Sequence, residues 1–290
     1  MVEIFKAIIL GIVQGITEWL PVSSTGHMIL VDEFLKMNMS DTFISTFLVV
    51  IQLGSILAVL VIFFKKLNPF DSSKTKIQKN ETIDLWIKVI IAVIPSGIIG
   101  VLFEDQIDAL FFNPTTVAIA LIVYGVIMIA LENRNKKPLY SDFSQVTYKL
   151  ALGIGLFQCL ALIPGTSRSG STIIGAVLLG TSRYVATEFS FFLAVPTMLG
   201  ASALKLVKTG FDFTGFEWLV LATGSIVAFV VSILAIKFLL DYIKKHDFKA
   251  FGYYRIVLGV IVLAYFWFLN LLNKKEALMC FFFILILLEA

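Results

Sequence analysis

The chain has 290 residues, 59% of them hydrophobic and only 15% charged, with a formal net charge of +3. A soluble chain carries about 25% charged residues, so a soluble domain is excluded and a polytopic α-helical membrane protein is expected. The basic residues lie in loops rather than in one aromatic-interleaved stripe, which argues against nucleic acid as a partner. Cys159 and Cys280 both sit in apolar surroundings and suggest neither a disulfide framework nor a metal-binding pair.

Residues 1–12 lack the basic start and cleavage site of a secretory signal peptide, so the N-terminus is expected to be retained. Residues 4–31 are long enough to span but contain Gln14, Glu18, Pro21, three consecutive hydroxyl residues and His27, and they read as two half-helices meeting at a loop. A polar connection (32–41), an apolar span (48–64) and a hydrophilic linker (65–80) follow. The next span, 85–103, holds Pro95 and Gly97 and is expected to kink there. Residues 115–131 cross again and end at Arg134, Lys136 and Lys137, and residues 150–179 form a second interrupted segment, broken at Pro164. Spans at 189–206, 218–240 and 256–272 complete the domain. The tail, 276–290, holds an apolar run that is short for a crossing and receives no role.

If each interrupted segment enters and leaves on one side, six crossings remain, and sixteen Lys and Arg residues fall on one face against six on the other. That positive-inside bias puts the N-terminus and the first interrupted segment on the outer face. Treating both segments as full crossings gives fifteen against seven and exports Lys244, Lys245 and Lys249. The re-entrant arrangement is preferred, chiefly because both segments carry polar groups at their centres, and irregular backbone in lipid needs protein or a water-filled cavity around it.

The order of interrupted segment and three spans occurs twice. Pro21-Val22-Ser23-Ser24 sits over Pro164-Gly165-Thr166-Ser167, Leu53-Gly54-Ser55 over Leu199-Gly200-Ala201, and Val123-Tyr124-Gly125-Val126-Ile127 over Val257-Leu258-Gly259-Val260-Ile261, at spacings of 143, 146 and 134. Three crossings separate the two units, so their orientations oppose, as in transporters whose sites lie between broken helices. The expected fold is an all-α polytopic membrane protein: an inverted repeat with six spanning helices and two re-entrant helical hairpins. One integral domain covers 1–275, with repeat one at 1–140 and repeat two at 141–275.

Gln14 and Glu18, four apart, share one helix face, where a carboxylate suits a metal ligand or an acid/base group and interfacial exposure is the plainer reading. Ser23, Ser24 and Thr25 follow a proline at the head of an apolar helix, where free N–H groups and hydroxyls bind anions; N-capping explains any one of them equally well. His27, one turn after Ser24, is placed to activate its hydroxyl or to move a proton. Arg168 stays charged inside an apolar segment, so it should meet an anion. Ser167, Ser169, Ser171 and Thr172 beside it, with Gly165 and Gly170, suit phosphate, whereas a structural pairing with Glu18 is the plainer alternative. Lys237, Lys244, Lys245 and Lys249 read as topology determinants, the four tryptophans as belt or packing residues, and Glu188 as a helix-end acid.

The stretches 11–27 and 164–170 closely resemble the two signature motifs of the bacterial undecaprenyl-diphosphate phosphatases, the bacitracin-resistance protein family, and Gln52-Leu53-Gly54-Ser55-Ile56 and Glu188-Phe189-Ser190-Phe191 are similar to it as well. The resemblance covers about residues 1–272. It implies a phosphatase of the bacterial plasma membrane that removes the terminal phosphate of undecaprenyl diphosphate, recycling the lipid carrier of cell-wall synthesis and conferring bacitracin resistance. It also implies a site that faces outward and depends on Mg²⁺ or Ca²⁺. Carried over by position, Ser24 is the nucleophile or its support, His27 the acid/base and Glu18 a metal ligand. Arg168 holds the diphosphate with Ser167 and Thr172, and with Ser23, Thr25 and Ser169 as further substrate contacts. Where the family has Glu or Gln this chain has Gln14, which offers a metal an oxygen but no charge. A polyprenyl diphosphate lipid and membrane lipids are the expected partners, and a homodimer is left open. A transporter for the same class of lipid is the competing reading.

Overall fold

Serine, threonine and asparagine set most of the helix starts. Ser40, Thr75, Asn113, Thr147, Ser182 and Thr214 each accept a hydrogen bond from a backbone N–H of the first turn, satisfying donors that a helix leaves without partners. Thr75 and Thr214 form full capping boxes with Gln78 and Glu217. The computed structural model describes residues 1–134, 136–210 and 212–288, the side chains of residues 32, 33, 104 and 269–288 excepted. Its helices are α1 (Val2–Thr17), α2 (Ser24–Phe34), α3 (Asp41–Ile62), α4 (Phe64–Leu67), α5 (Lys76–Phe111), α6 (Pro114–Asn133), α7 (Tyr148–Cys159), α8 (Arg168–Leu178), α9 (Arg183–Thr209), α10 (Gly215–Ile243) and α11 (Lys249–Leu288).

Six of these, α3, α5, α6, α9, α10 and α11, are long and apolar enough to cross a membrane, and the chain is a multi-pass membrane protein. The interrupted segments are pairs of shorter helices. α1 has 16 residues, α7 has 12, and α2 and α8 have 11 each; at 1.5 Å per residue none reaches across a hydrocarbon core of about 30 Å.

Small residues let the backbones approach closely, as in other membrane bundles. A Cβ at Gly11 or Gly15 would stand 2.7 and 2.8 Å from the carbonyl oxygens of Gly224 and Ala228, so α1 lies directly on α10. α7 lies on α5 in the same way, Gly155 against Ala92. In both pairs residue numbers rise in the same direction. α6 and α11 pair through Gly125 and Gly259, with numbers running oppositely. Beneath the first loop Trp19 is fully buried, edge-on to Phe191 with centroids 5.1 Å apart, while Phe63 meets Phe192 in the same way.

α5 is helical through Pro95 and Gly97. Two expectations change. The linker 65–80 is partly folded: α4 opens it, and Trp86 Nε1 donates to the Leu67 carbonyl at 2.8 Å. The tail continues α11 as helix as far as Leu288, leaving residues 289 and 290 outside those described.

Candidate active site

Two serines hold the polar loops in shape. Ser23 and Ser167 both adopt φ 73, and among the described residues they are the only non-glycine positions with positive φ. Such backbone costs of order 1–3 kcal/mol and persists only where the surroundings fix it. Here each hydroxyl caps the helix that follows: Ser23 Oγ accepts from Gly26 N at 3.3 Å, and Ser167 Oγ from Gly170 N at 3.1 Å. The two loops therefore correspond at an offset of 144, Ser23 with Ser167, one residue from the register of 143 read from the prolines. The first helical positions are Ser24 in one loop and Arg168 in the other.

The loops meet at Glu18, which is buried. Its Oε1 accepts from Arg168 Nη2 at 3.1 Å, and its Oε2 from Gln14 Nε2 at 3.0 Å and, in a longer contact, from Ser24 Oγ at 3.4 Å. Ser169 Oγ donates to the carbonyls of Glu18 and Leu20 at 3.2 and 3.3 Å, fastening the second loop to the first. Arg168 Nη1 donates to Ser190 O at 2.8 Å, and Thr172 Oγ1 lies 2.7 Å from Ser190 Oγ. Of the residues singled out from sequence, Gln14, Glu18, Ser24, Arg168 and Ser169 are brought together, with Thr172 one turn behind. Ser23 and Ser167 act as caps. Thr25 lies in the first turn of α2 and takes no part in the hydrogen bonds at Glu18. The ion pair with Glu18 uses one face of the guanidinium and leaves Arg168 Nε buried without a partner, a donor in reserve.

His27 does not pair with Ser24. Its Nδ1 lies 2.7 Å from Ser23 O, and a carbonyl only accepts, so Nδ1 carries the hydrogen; Nε2 then accepts from Tyr254 O–H at 2.6 Å. The imidazole stacks on the Tyr254 ring at 5.5 Å and 9°. Capture of Nδ1 by the carbonyl one turn back points Nε2 toward α11, and Ser24 turns instead to Glu18.

Sequence reasoning missed Tyr254 and Arg255. Counted as a loop cation on the basic face, Arg255 is fully buried, with Nη1 donating to Pro21 O at 3.2 Å and Nη2 to Gly165 O and Thr166 O at 2.9 and 3.0 Å. One guanidinium thus binds both loops. Removing it from the charge count leaves fifteen against six. Its place shortly after Lys249 at the start of a span, where cations mark topology, hid it. Glu188 is likewise no simple helix-end acid, being buried against Lys66 and Tyr184. With Arg168 and Arg255 against the single carboxylate of Glu18, and the N-termini of α2 and α8 alongside, the cluster is net positive and suited to an anion.

Residues 7–261 match the family described as bacitracin resistance protein BacA. The chain belongs to this family. It is 82% identical over 269 residues to undecaprenyl-diphosphatase 1 of Clostridioides difficile (strain 630), covering 93% of this chain and 98% of that one. Undecaprenyl-diphosphatases of Desulfitobacterium hafniense and Acetivibrio thermocellus are 61% and 62% identical over 269 residues, covering 92% of this chain and 97% and 98% of theirs. As a BacA-family member this chain is a membrane-embedded hydrolase.

For a divalent cation the donor set fits a shared site rather than a cage. Among the described residues no group of three His, Cys, Asp or Glu could hold a metal. Mg²⁺ sites commonly use one or two carboxylates and take their remaining ligands from substrate phosphates and water. The Glu18 carboxylate suits that arrangement, and the Gln14 amide, which here donates to it, would have to turn over to offer its oxygen.

Proposed function

We propose that this chain hydrolyses undecaprenyl diphosphate to undecaprenyl phosphate and inorganic phosphate, which returns the lipid carrier to cell-wall synthesis and confers bacitracin resistance. The observation that carries the reading is the junction of the two loops: Arg168 and Glu18 paired across them, and Ser24 against the same carboxylate. Glu18 with Gln14 would hold a Mg²⁺ or Ca²⁺ ion, which when bound neutralises phosphate charge.

In this mechanism the diphosphate lies before the N-termini of α2 and α8, where backbone N–H groups and the spare Nε of Arg168 receive it. Ser24 Oγ gives its proton to Glu18 Oε2 and attacks the terminal phosphorus. The bond to the bridging oxygen breaks, and undecaprenyl phosphate leaves. Charge that develops on the equatorial oxygens is met by donors already fixed in place, Arg168 among them. Water then attacks the phosphorus of the Ser24 phosphoester and gives its proton through the Tyr254 hydroxyl to His27 Nε2; the phosphorus–Oγ bond breaks, Glu18 returns the proton to Ser24 Oγ, and inorganic phosphate leaves, while Ser169 keeps the loops in register.

We also propose that both interrupted segments are re-entrant hairpins within two inverted units, in a bacterial plasma membrane with the site opening outward. The shortness of α1, α2, α7 and α8 supports this. So does the exchanged packing, α1 along α10 as α7 lies along α5. Transporters use the same devices, and hydrolysis separates the readings. Full-length protein purified in detergent, where transport has no meaning, should release phosphate from undecaprenyl diphosphate with Mg²⁺ present and stop when a chelator is added. Protein that binds this lipid, releases no phosphate and moves it across vesicles would overturn the enzyme.

A further inference from the structure

A well-formed cavity lies away from this junction. It has a volume of about 670 Å³ and lies where α6, α8 and α10 end and α9 begins, on the face that carries the basic loops. Its size is that of a small-molecule site. One side is basic, with Arg134, Lys136, Lys137 and Arg183. Glu132 opposes them within the lining, and it is spent: buried, it takes Arg183 on both carboxylate oxygens and accepts from Phe248 N, while Asp247, outside the lining, also acts on Arg183. Arg134, Lys136 and Lys137 have no acidic partner among the described residues, so the cavity is positive.

The rest of the lining is largely apolar and open. Leu139 is 73% exposed, and Leu178, Leu179 and Tyr184 are each partly exposed beside it. Beside a membrane, cations bordering an exposed apolar wall suit an amphiphile with a negative head. The cavity is also held in shape. Leu139 N and Tyr140 N donate to Gly180 O at 2.8 and 3.1 Å, and Ser182 N donates to Tyr140 O at 2.8 Å, so the segment after α6 is bridged to the α8–α9 turn. In that turn Thr181 lines the cavity, 2% exposed, with a hydroxyl that lacks any hydrogen-bond partner. A buried hydroxyl without a partner is costly, and an acceptor such as a phosphate oxygen would satisfy it.

We propose that this cavity binds the phosphate headgroup of an anionic membrane lipid, with its chains on Leu139, Leu178 and Leu179. The site is separate from the hydrolytic junction and does not depend on it. The test uses full-length protein in detergent and intact-protein mass spectrometry with three probes: phosphatidylglycerol, phosphatidylcholine with the same chains, and inorganic phosphate. One phosphatidylglycerol should be retained at least about tenfold more tightly than phosphatidylcholine. Each cation removed should weaken it about fivefold, so R134A/K136A/K137A should lose about a hundredfold. Thr181→Val, which keeps the shape of the side chain, should weaken it further. Equal retention of the two lipids, or a triple variant that binds like the wild type, overturns the proposal. Displacement of phosphatidylglycerol by millimolar inorganic phosphate overturns the lipid in favour of free phosphate.

Discussion

At residues 23 and 167 the chain makes the same turn twice: a serine at φ 73, its hydroxyl on the N–H of a glycine three residues on, and an 11-residue helix thereafter. What the two loops carry is different. At the offset of 144, Ser24 stands opposite Arg168, His27 opposite Ser171 and Glu18 opposite Leu162. The first loop holds a carboxylate, a hydroxyl and an imidazole; the second holds a guanidinium and small hydroxyls. Neither is complete, because a carboxylate alone repels phosphate and a guanidinium alone offers no proton acceptor. The backbone device is shared and the chemistry divided, so single substitutions can separate scaffold from reaction.

The largest effect should come from the equivalent positions Arg168 and Ser24. Arg168→Ala removes the phosphate donor and strands the buried Glu18, and phosphate release should fall about a thousandfold with loss of substrate binding. Lysine at 168 should not restore it, since it lacks the planar fork that spans Glu18 and Ser190. Ser24→Ala should lower turnover about 10²- to 10⁴-fold with the lipid still bound. Equal loss of binding in both variants, measured by retention of the substrate in detergent, would erase the division of labour.

Arg255 tests what joins the loops. Arg255→Met leaves the carbonyls of Pro21, Gly165 and Thr166 without their donor, at about 1–3 kcal/mol for each buried group. The expected result is a lower thermal midpoint, followed by tryptophan fluorescence, together with lost hydrolysis. Lysine at 255 keeps the charge, cannot span three carbonyls, and should recover only part of either. An unchanged midpoint would mean the loops hold together without it.

The spans and both broken segments were legible because they depend on local composition: apolar runs of crossing length, and polar residues clustered where lipid would otherwise lie. The junction was legible in part, since Glu18 and Arg168 are anomalous in their own sequence neighbourhoods. Arg255 was not, because it follows Lys249 near the start of a span, where cations usually mark topology. That it faces inward is fixed by the rotation of α11 against α6, where Gly125 meets Gly252, and no spacing within α11 reveals it. The pairing of His27 was hidden for the same reason, its partner being 227 residues away.

Tyr254→Phe keeps the stacked ring and deletes the hydroxyl that His27 Nε2 accepts. Turnover should fall by about a hundredfold, the lower end of what general acid/base assistance supplies, with substrate binding unchanged. Only two histidines are present, so ¹⁵N-histidine labelling gives a direct readout: the wild type should show His27 protonated at Nδ1, and the variant should shift Nε2. If neither turnover nor the Nε2 resonance moves, Tyr254 is packing and the histidine works alone.

The smallest effect should come from Ser167, and it bears most directly on the likeness between the loops. Glycine accepts φ 73 without strain and costs a cap only a few tenths of a kcal/mol, whereas alanine keeps the strain and loses the cap for about 1 kcal/mol. Ser167→Gly should therefore fall within about 1 kcal/mol of the wild type and Ser167→Ala below it by thermal unfolding, with hydrolysis retained in both. A glycine variant that stays folded but loses hydrolysis would mean that the Ser167 hydroxyl touches the diphosphate. In that case the two capping serines share a shape but not a role, and the second loop contributes more than a guanidinium to the reaction.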